Sequence, residues 1–351
     1  MQTYALMQLN PGMLRKKIHE THQWPQKWAF IWALLLRDTA LLSFAIAYIA
    51  SFTLIFGAAS SYVGVATFCM LLSFRFVSYN YNVYESLGAL AGILSLTWVN
   101  SMWLPQLGPL AALVVNFSSL LVILRLTSDT PLLGNGGVYT FGYVLVTGMP
   151  VGHAAAINRG WAFLAAFVIC GWALWKHHRT TNQQVHVWWV FKFRGLHDAT
   201  FRWQLRLATG VSAALLIGQL LNNGRAMWLG FASMSVLLPT TKLLRGRASL
   251  RFSGVVVGSL AFAGLLQIMP NSLIGILAPI AGLALGLTPS YFWASVFNCF
   301  GALTIAYTLF GIWPAVGLRL LNNGLGIICA LIVAASLDWL WRHYQCGPTG
   351  E

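Results

Sequence analysis

Apolar positions along the chain gather into twelve runs, separated by short stretches that hold most of the charge. The first six runs fall at about 35–57, 60–76, 83–103, 106–125, 136–152 and 158–175. Six more fall at about 202–221, 226–240, 251–269, 272–288, 290–310 and 316–341. A membrane-crossing helix needs roughly 20 mostly apolar residues. The pattern therefore predicts an all-α protein, a polytopic transmembrane helical bundle of about twelve helices. The runs at 60–76, 136–152 and 226–240 are short enough to re-enter a membrane rather than cross it.

The runs divide the chain into five parts. Residues 1–34 form a cytoplasmic basic N-terminal tail and 35–175 an N-terminal six-helix half. Residues 176–200 form a cytoplasmic linker, 201–341 a second six-helix half and 342–351 a cytoplasmic tail. The first 27 residues carry Arg15, Lys16, Lys17 and Lys27 without an apolar centre, which reads as a retained tail rather than a cleaved signal.

The halves echo each other. Ser61-Tyr62-Val63-Gly64 matches Met227-Trp228-Leu229-Gly230, and Gly88 and Gly92 match Gly254 and Gly258. Arg37 and Arg206 recur at the first helix of each half, and Arg159 and Arg319 at the opening of each sixth helix. Six spans per half give both halves one orientation, so the expected architecture is two parallel six-helix repeats about an axis along the membrane normal.

Composition agrees with a membrane chain. Of 351 residues 58% are apolar and 8% charged, with a mean hydropathy of +0.70. A soluble domain carries about a quarter charged residues. The net charge is +14, but 16 Trp and long apolar runs separate the basic residues, unlike the compact basic face of a nucleic-acid binder. With the N-terminus inside, 18 of the 21 Lys and Arg fall on the inner side, and the exceptions are Arg159, Arg225 and Arg319. The positive-inside rule then places both ends in the cytoplasm, and membrane lipids are expected partners of the basic face.

Enzyme signatures are absent. There is no HExxH, P-loop, GxSxG or CxxC pair, so neither an enzyme activity nor a cofactor is expected. Gly134-Asn135-Gly136-Gly137 reads as a turn. Cys69, Cys170, Cys299, Cys329 and Cys346 read as packing residues rather than redox or metal sites. No metal site is expected, because His177, His178, His186 and His197 lack close ligand spacing. Trp188-Trp189 with Lys192 and Arg194 reads as an interfacial anchor. The glycine pairs Gly88/Gly92, Gly254/Gly258 and Gly282/Gly286 read as packing seams. Such seams serve equally within or between chains, which leaves a homo-oligomer open.

Ionisable residues within spans are costly and mark candidate functional sites. Arg37-Asp38 is either an interfacial anchor or a gate with a proton-coupled carboxyl. Glu85 and its repeat counterpart Arg251 are candidates for an ion pair near the inner surface or for coupling. Arg206 is a candidate for the cytoplasmic entrance together with Arg37. Arg159 and Arg319 are candidates for an outer anion site or for headgroup contacts, since a guanidinium grips a carboxylate with two donors. Asn322 and Asn323 can add donors there or bond between helices.

The second half resembles the fusaric acid resistance (FUSC) superfamily. The resemblance rests on Arg202-Trp-Gln-Leu-Arg206, Met227-Trp-Leu-Gly-Phe-Ala-Ser-Met-Ser-Val-Leu-Leu-Pro239, and the basic loop Lys242, Arg245 and Arg247. It continues through Arg251-Phe-Ser-Gly254-Val-Val-Val-Gly258 and Arg319-Leu-Leu-Asn322-Asn-Gly. Val257 replaces the usual Thr, and Asn322 stands where an acidic residue is common. The resemblance implies an aromatic acid exporter-like protein of the bacterial inner membrane, driving efflux of small organic anions on the proton gradient. It also implies a periplasmic adaptor protein as partner. Plant relatives include anion channels, so a passive channel is the second mechanism and a non-transport assembly subunit the third.

Overall fold

The computed structural model describes residues 2–9, 11–131, 134–192 and 195–345. Its helices, in order, are α1 (Gln2–Met7), α2 (Pro11–Glu20), α3 (Trp24–Phe56), α4 (Ser61–Ser73) and α5 (Val83–Trp103). Next come α6 (Pro109–Thr127), α7 (Asn135–Thr147), α8 (His153–His178), α9 (Trp188–Phe191) and α10 (Ala199–Leu220). The last are α11 (Met227–Val236), α12 (Leu244–Ile268), α13 (Ile274–Leu287), α14 (Tyr291–Phe310) and α15 (Ile312–Gln345). Each of the twelve apolar runs is a helix, and no strand occurs among the described residues. Among the described residues seven segments are long and apolar enough to cross a membrane: α3, α5, α6, α8, α12, α14 and α15. The shorter apolar helices include α4, α11 and α13.

Local chemistry sets the ends. The Asn82 side chain accepts from Tyr84 N at 2.8 Å and caps α5, and Asp198 does the same for α10 through Thr200 N at 2.9 Å. Pro109 opens α6, where its missing N–H costs nothing. Gly134 precedes α7 with φ +83°, a left-handed turn that glycine adopts without strain.

The stretch expected as a tail differs: residues 11–20 are helical, and α3 begins at Trp24, well before the apolar run. At 1.5 Å per residue this helix of 33 residues is about 50 Å long, more than the roughly 30 Å of a hydrocarbon core. Trp24, Trp28 and Trp32 recur every four residues on its exposed face, the placement of an interfacial belt.

The chain separates into two compact units. The first comprises Met1–Ala47 and Ser249–Leu320, the second Tyr48–Ala248 and Leu321–Glu351. Within the first, α13 packs on α14, and Gly254 and Gly258 of α12 lie against α14 as well. A Cβ at Gly258 would sit 2.5 Å from the Val296 carbonyl oxygen, so only glycine permits this approach. Gly282 and Gly286 face Leu42 and Asp38 of α3. Gly88 and Gly92 depart from expectation, with nothing within 4 Å of an added Cβ. Their face of α5 is open, so they form no seam within the described chain.

Within the second unit, α6 packs on α10, α4 on α7, and α5 on α8. A buried polar chain ties three of these helices together. Asn100 donates to Ser119 Oγ at 2.7 Å and to the Tyr143 hydroxyl at 3.1 Å, and that hydroxyl donates to Asn116 Oδ1 at 2.9 Å. Cys69, Cys170, Cys299 and Cys329 are free thiols, and Cys346 lies outside the described residues.

Candidate functional site

A strongly charged cavity lies in the second unit, where the start of α10 meets the end of α15. It measures about 440 Å³ and is lined by Ala199, Arg202, Arg206, Pro239, Thr241, Asp338, Trp341 and Arg342. The lining follows from helix periodicity. Arg202 and Arg206 stand four apart on α10, while Asp338, Trp341 and Arg342 share one face of α15 at spacings of three and four. Arg206 Nη2 donates to Asp338 Oδ1 at 2.7 Å. Its guanidinium also lies 5.3 Å from the Trp341 ring centroid, and that of Arg202 lies 5.8 Å away. The buried Arg206 Nε has no hydrogen-bond partner.

Three guanidinium groups against one carboxylate leave the cavity cationic. The first turn of α10 lines it as well, its N-terminus capped by the Asp198 carboxylate. The indole supplies a flat apolar wall. An organic anion with an aromatic body matches this combination of groups.

A second cavity of about 480 Å³ lies at the other end of α10. Its lining includes Asn116, Thr147, Leu215, Gln219, Asn222 and Asn223, and no charged side chain. From Arg206 to Leu215 is nine residues, so the two cavities open on faces of α10 about half a turn apart.

Arg159 is fully buried at the start of α8. It donates to the carbonyls of Met149 at 3.0 Å, Ala59 at 3.2 Å and Val146 at 3.4 Å. The Val146 and Met149 carbonyls lie at and beyond the C-terminal end of α7, where unsatisfied acceptors and the helix dipole favour a cation, and the Ala59 carbonyl comes from the turn before α4. Arg319 is buried in the first unit and donates to Asn298 Oδ1 at 2.9 Å. The two repeat-related arginines thus fall in different units. Arg225, the third outer-side exception, is buried too and directs Nη1 at Met149 Sδ, 3.6 Å away. Asn322 and Asn323 are fully buried in the second unit, and Asn322 pairs with Asn223.

Arg37 and Asp38 form a 3.7 Å ion pair in the first unit. Asp38 is buried against Gly286, and its Oδ2 has no hydrogen-bond partner. Arg15 reaches the Gly286 carbonyl at 2.7 Å. Arg251 is buried in α12. Glu85 engages the linker: it accepts from His186 Nδ1 at 2.8 Å and from Val187 N. The linker is held further by Asn82 N on the Val185 carbonyl at 2.8 Å and by Arg125 on the Val190 carbonyl. Trp188 and Trp189 are exposed, and Lys192 lies over the Trp189 ring. Arg194 lies outside the described residues.

Sequence reasoning found Arg206 but missed Asp338 and Trp341, and treated Arg342 as an inner-face charge only. The available signal was an acidic residue on an apolar final helix, with Trp341 and Arg342 one turn further along. Its partner lies 132 positions away, so only folding reveals the pair.

An all-helical chain with seven helices able to cross a membrane is a multi-pass membrane protein of transporter-like type. Residues 213–333 match the family described as fusaric acid resistance protein-like, and the likeness is confined to that stretch. It runs from within α10 to within α15 and includes Gly254, Gly258, Arg319, Asn322 and Asn323. Arg202, Arg206, Asp338 and Trp341 flank it. No curated protein and no solved structure matches the chain.

Proposed function

We propose that the protein is a secondary transporter that exports small organic anions, aromatic carboxylic acids above all, across a bacterial inner membrane with both termini in the cytoplasm. The carrying observation is the cavity of Arg202, Arg206, Trp341 and Arg342. Three guanidinium groups draw the carboxylate from the cytoplasm, and the indole receives the ring. The positive-inside distribution supports this orientation, because the cavity lies at the end of α10 that follows the basic linker.

Proton coupling requires a carboxyl whose charge changes during the cycle. Asp38 fits better than Glu85, because Asp38 is buried with one oxygen unpartnered while both Glu85 oxygens hold the linker. Arg159, Arg319 and Asn322 read as structural groups of their own units, since each guanidinium or amide already holds protein acceptors.

Efflux from liposomes holding the purified protein and loaded with labelled benzoate tests the reading. Efflux should accelerate when the outer solution is acidified, and Arg202→Gln with Arg206→Gln should slow it at least about tenfold, the equivalent of one lost charge-assisted contact. A current that follows the benzoate gradient without proton dependence would establish a channel instead. No flux of any tested carboxylate would sink both readings and leave the assembly subunit.

A further inference from the structure

We propose that the uncharged cavity at the far end of α10 is a binding site for a neutral organic molecule that carries a hydrogen-bond acceptor beside a donor, a primary carboxamide being the simplest. The site is separate from the arginine cavity and works without it.

The polarity of its wall is set from within the protein. Asn100 Nδ2 gives its protons to Ser119 Oγ and to the Tyr143 hydroxyl. The single proton of Tyr143 then goes to Asn116 Oδ1, 2.9 Å away. With its oxygen so engaged, Asn116 has Nδ2 left for the cavity that it lines. Asn116 is 7% exposed, and its Nδ2 donates to no group among the described residues. A donor this deeply buried costs free energy until an acceptor reaches it.

Gln219 lines the same cavity with the opposite polarity. Its Nε2 donates to the Leu107 carbonyl at 3.1 Å, so Oε1 is the end without a partner among the described residues. Asn116 and Gln219 stand on α6 and α10, which pack together. The wall thus offers a fixed donor and a fixed acceptor, with apolar surface from Leu104, Pro105, Leu215 and Met227 around them. The volume of about 480 Å³ falls within the roughly 300–1,000 Å³ of small-molecule sites.

Charge selects against an acid. No charged side chain lines the cavity. The C-terminal ends of α7 and α10 reach it through Thr147 and Gln219, and such ends carry partial negative charge. Met227 brings the N-terminus of α11 as the one opposite contribution. Arg225 is buried in the adjoining turn, but it directs Nη1 at Met149 Sδ, 3.6 Å away, and lies over the Trp228 ring. A carboxylate therefore meets no cation on the wall and has no donor for Gln219 Oε1. A carboxamide answers both groups: its carbonyl accepts from Asn116 Nδ2, and its N–H donates to Gln219 Oε1.

The test is a ligand-observed NMR titration of the purified full chain with benzamide and with acetophenone, which keeps the ring and the carbonyl but carries CH3 in place of NH2. Wild type should bind benzamide about tenfold more tightly than acetophenone, the equivalent of one buried hydrogen bond. Gln219→Met keeps the length of the side chain without its acceptor, and should erase that preference. Asn116→Leu should weaken both ligands, since both present a carbonyl. Excess benzoate should leave benzamide bound. The wild-type comparison and the benzoate challenge need no variant, so the proposal stands or falls even if Asn116→Leu fails to fold. No benzamide binding, equal wild-type affinity for the two ligands, a preference that survives Gln219→Met, or displacement of benzamide by benzoate each overturns it. Benzoate that binds nowhere on the chain defeats the arginine cavity and leaves the benzamide result untouched.

Discussion

Asn322 and Asn223 face each other amide to amide, and this pair fixes α15 to the turn after α10. Asn223 Nδ2 donates to Asn322 Oδ1, and Asn322 Nδ2 donates to Asn223 Oδ1 at 3.3 Å and to the Arg225 carbonyl at 3.1 Å. An amide so committed is poorly placed to serve a substrate. Asn322→Leu keeps the branched shape, adds some bulk and leaves these polar groups unanswered. The expected loss is about 1–2 kcal/mol of stability, visible as a thermal midpoint several degrees lower in detergent. Transport per folded molecule should persist. A transport defect at an unchanged midpoint would instead put Asn322 on the substrate path.

The glycines give a sharper contrast. Gly258→Ala places a methyl group 2.5 Å from the Val296 carbonyl oxygen, and the backbone there cannot turn aside cheaply. Overpacking of this kind costs about 1–3 kcal/mol. Gly88→Ala meets nothing within 4 Å, and alanine is the better helix former by about 1 kcal/mol. The first variant should unfold earlier than wild type, and the second should match it or improve on it. Thermal unfolding of the two proteins side by side decides this. A destabilised Gly88→Ala would show that its face is covered after all.

The contrast also shows what the sequence could reveal. All twelve apolar runs became helices, because a period of apolar residues long enough to bury or to span is a local property. The glycine spacing at 88 and 92 was as good as that at 254 and 258, yet only the second pair has a helix against it. Which face meets a partner is a property of the fold. Arg159 and Arg319 stood out because they broke a charge rule, but a guanidinium that caps carbonyls and one that awaits an anion share one signature in sequence. Asp338 carried almost no local signal, since its meaning depends on Arg206.

Glu85 and His186 make a second long-range tie, 101 positions apart, at 2.8 Å. Removing the carboxylate frees both His186 Nδ1 and Val187 N. Glu85→Ala should therefore loosen the segment around 183–190 without unfolding the helices. Hydrogen exchange at those amides should rise by about one to two orders of magnitude, as expected for a loop that loses local tertiary anchors. The α5 amides beyond its first turn should be unaffected. Unchanged exchange in the linker would mean that Asn82 and Arg125 hold it without Glu85.

Trp341 offers the most direct reading of substrate class. Its ring faces both Arg206 and Arg202 and lines the cavity. If it receives the body of the anion, it should tell an aromatic ring from a saturated one. Benzoate and cyclohexanecarboxylate carry the same charge and nearly the same bulk, but only benzoate has a π face. An aromatic pair is worth about 0.5–1.5 kcal/mol beyond the area it buries. The wild type should therefore prefer benzoate by about two- to tenfold in kcat/KM, and Trp341→Leu should erase the preference. Trp341→Phe should keep most of it, because a smaller ring still offers a π face. The ratio of two substrates on one preparation cancels differences in folding and yield, which protects the comparison from a merely structural role of the indole. A preference that survives Trp341→Leu intact would place the ring-binding surface elsewhere, even with the arginines holding the carboxylate.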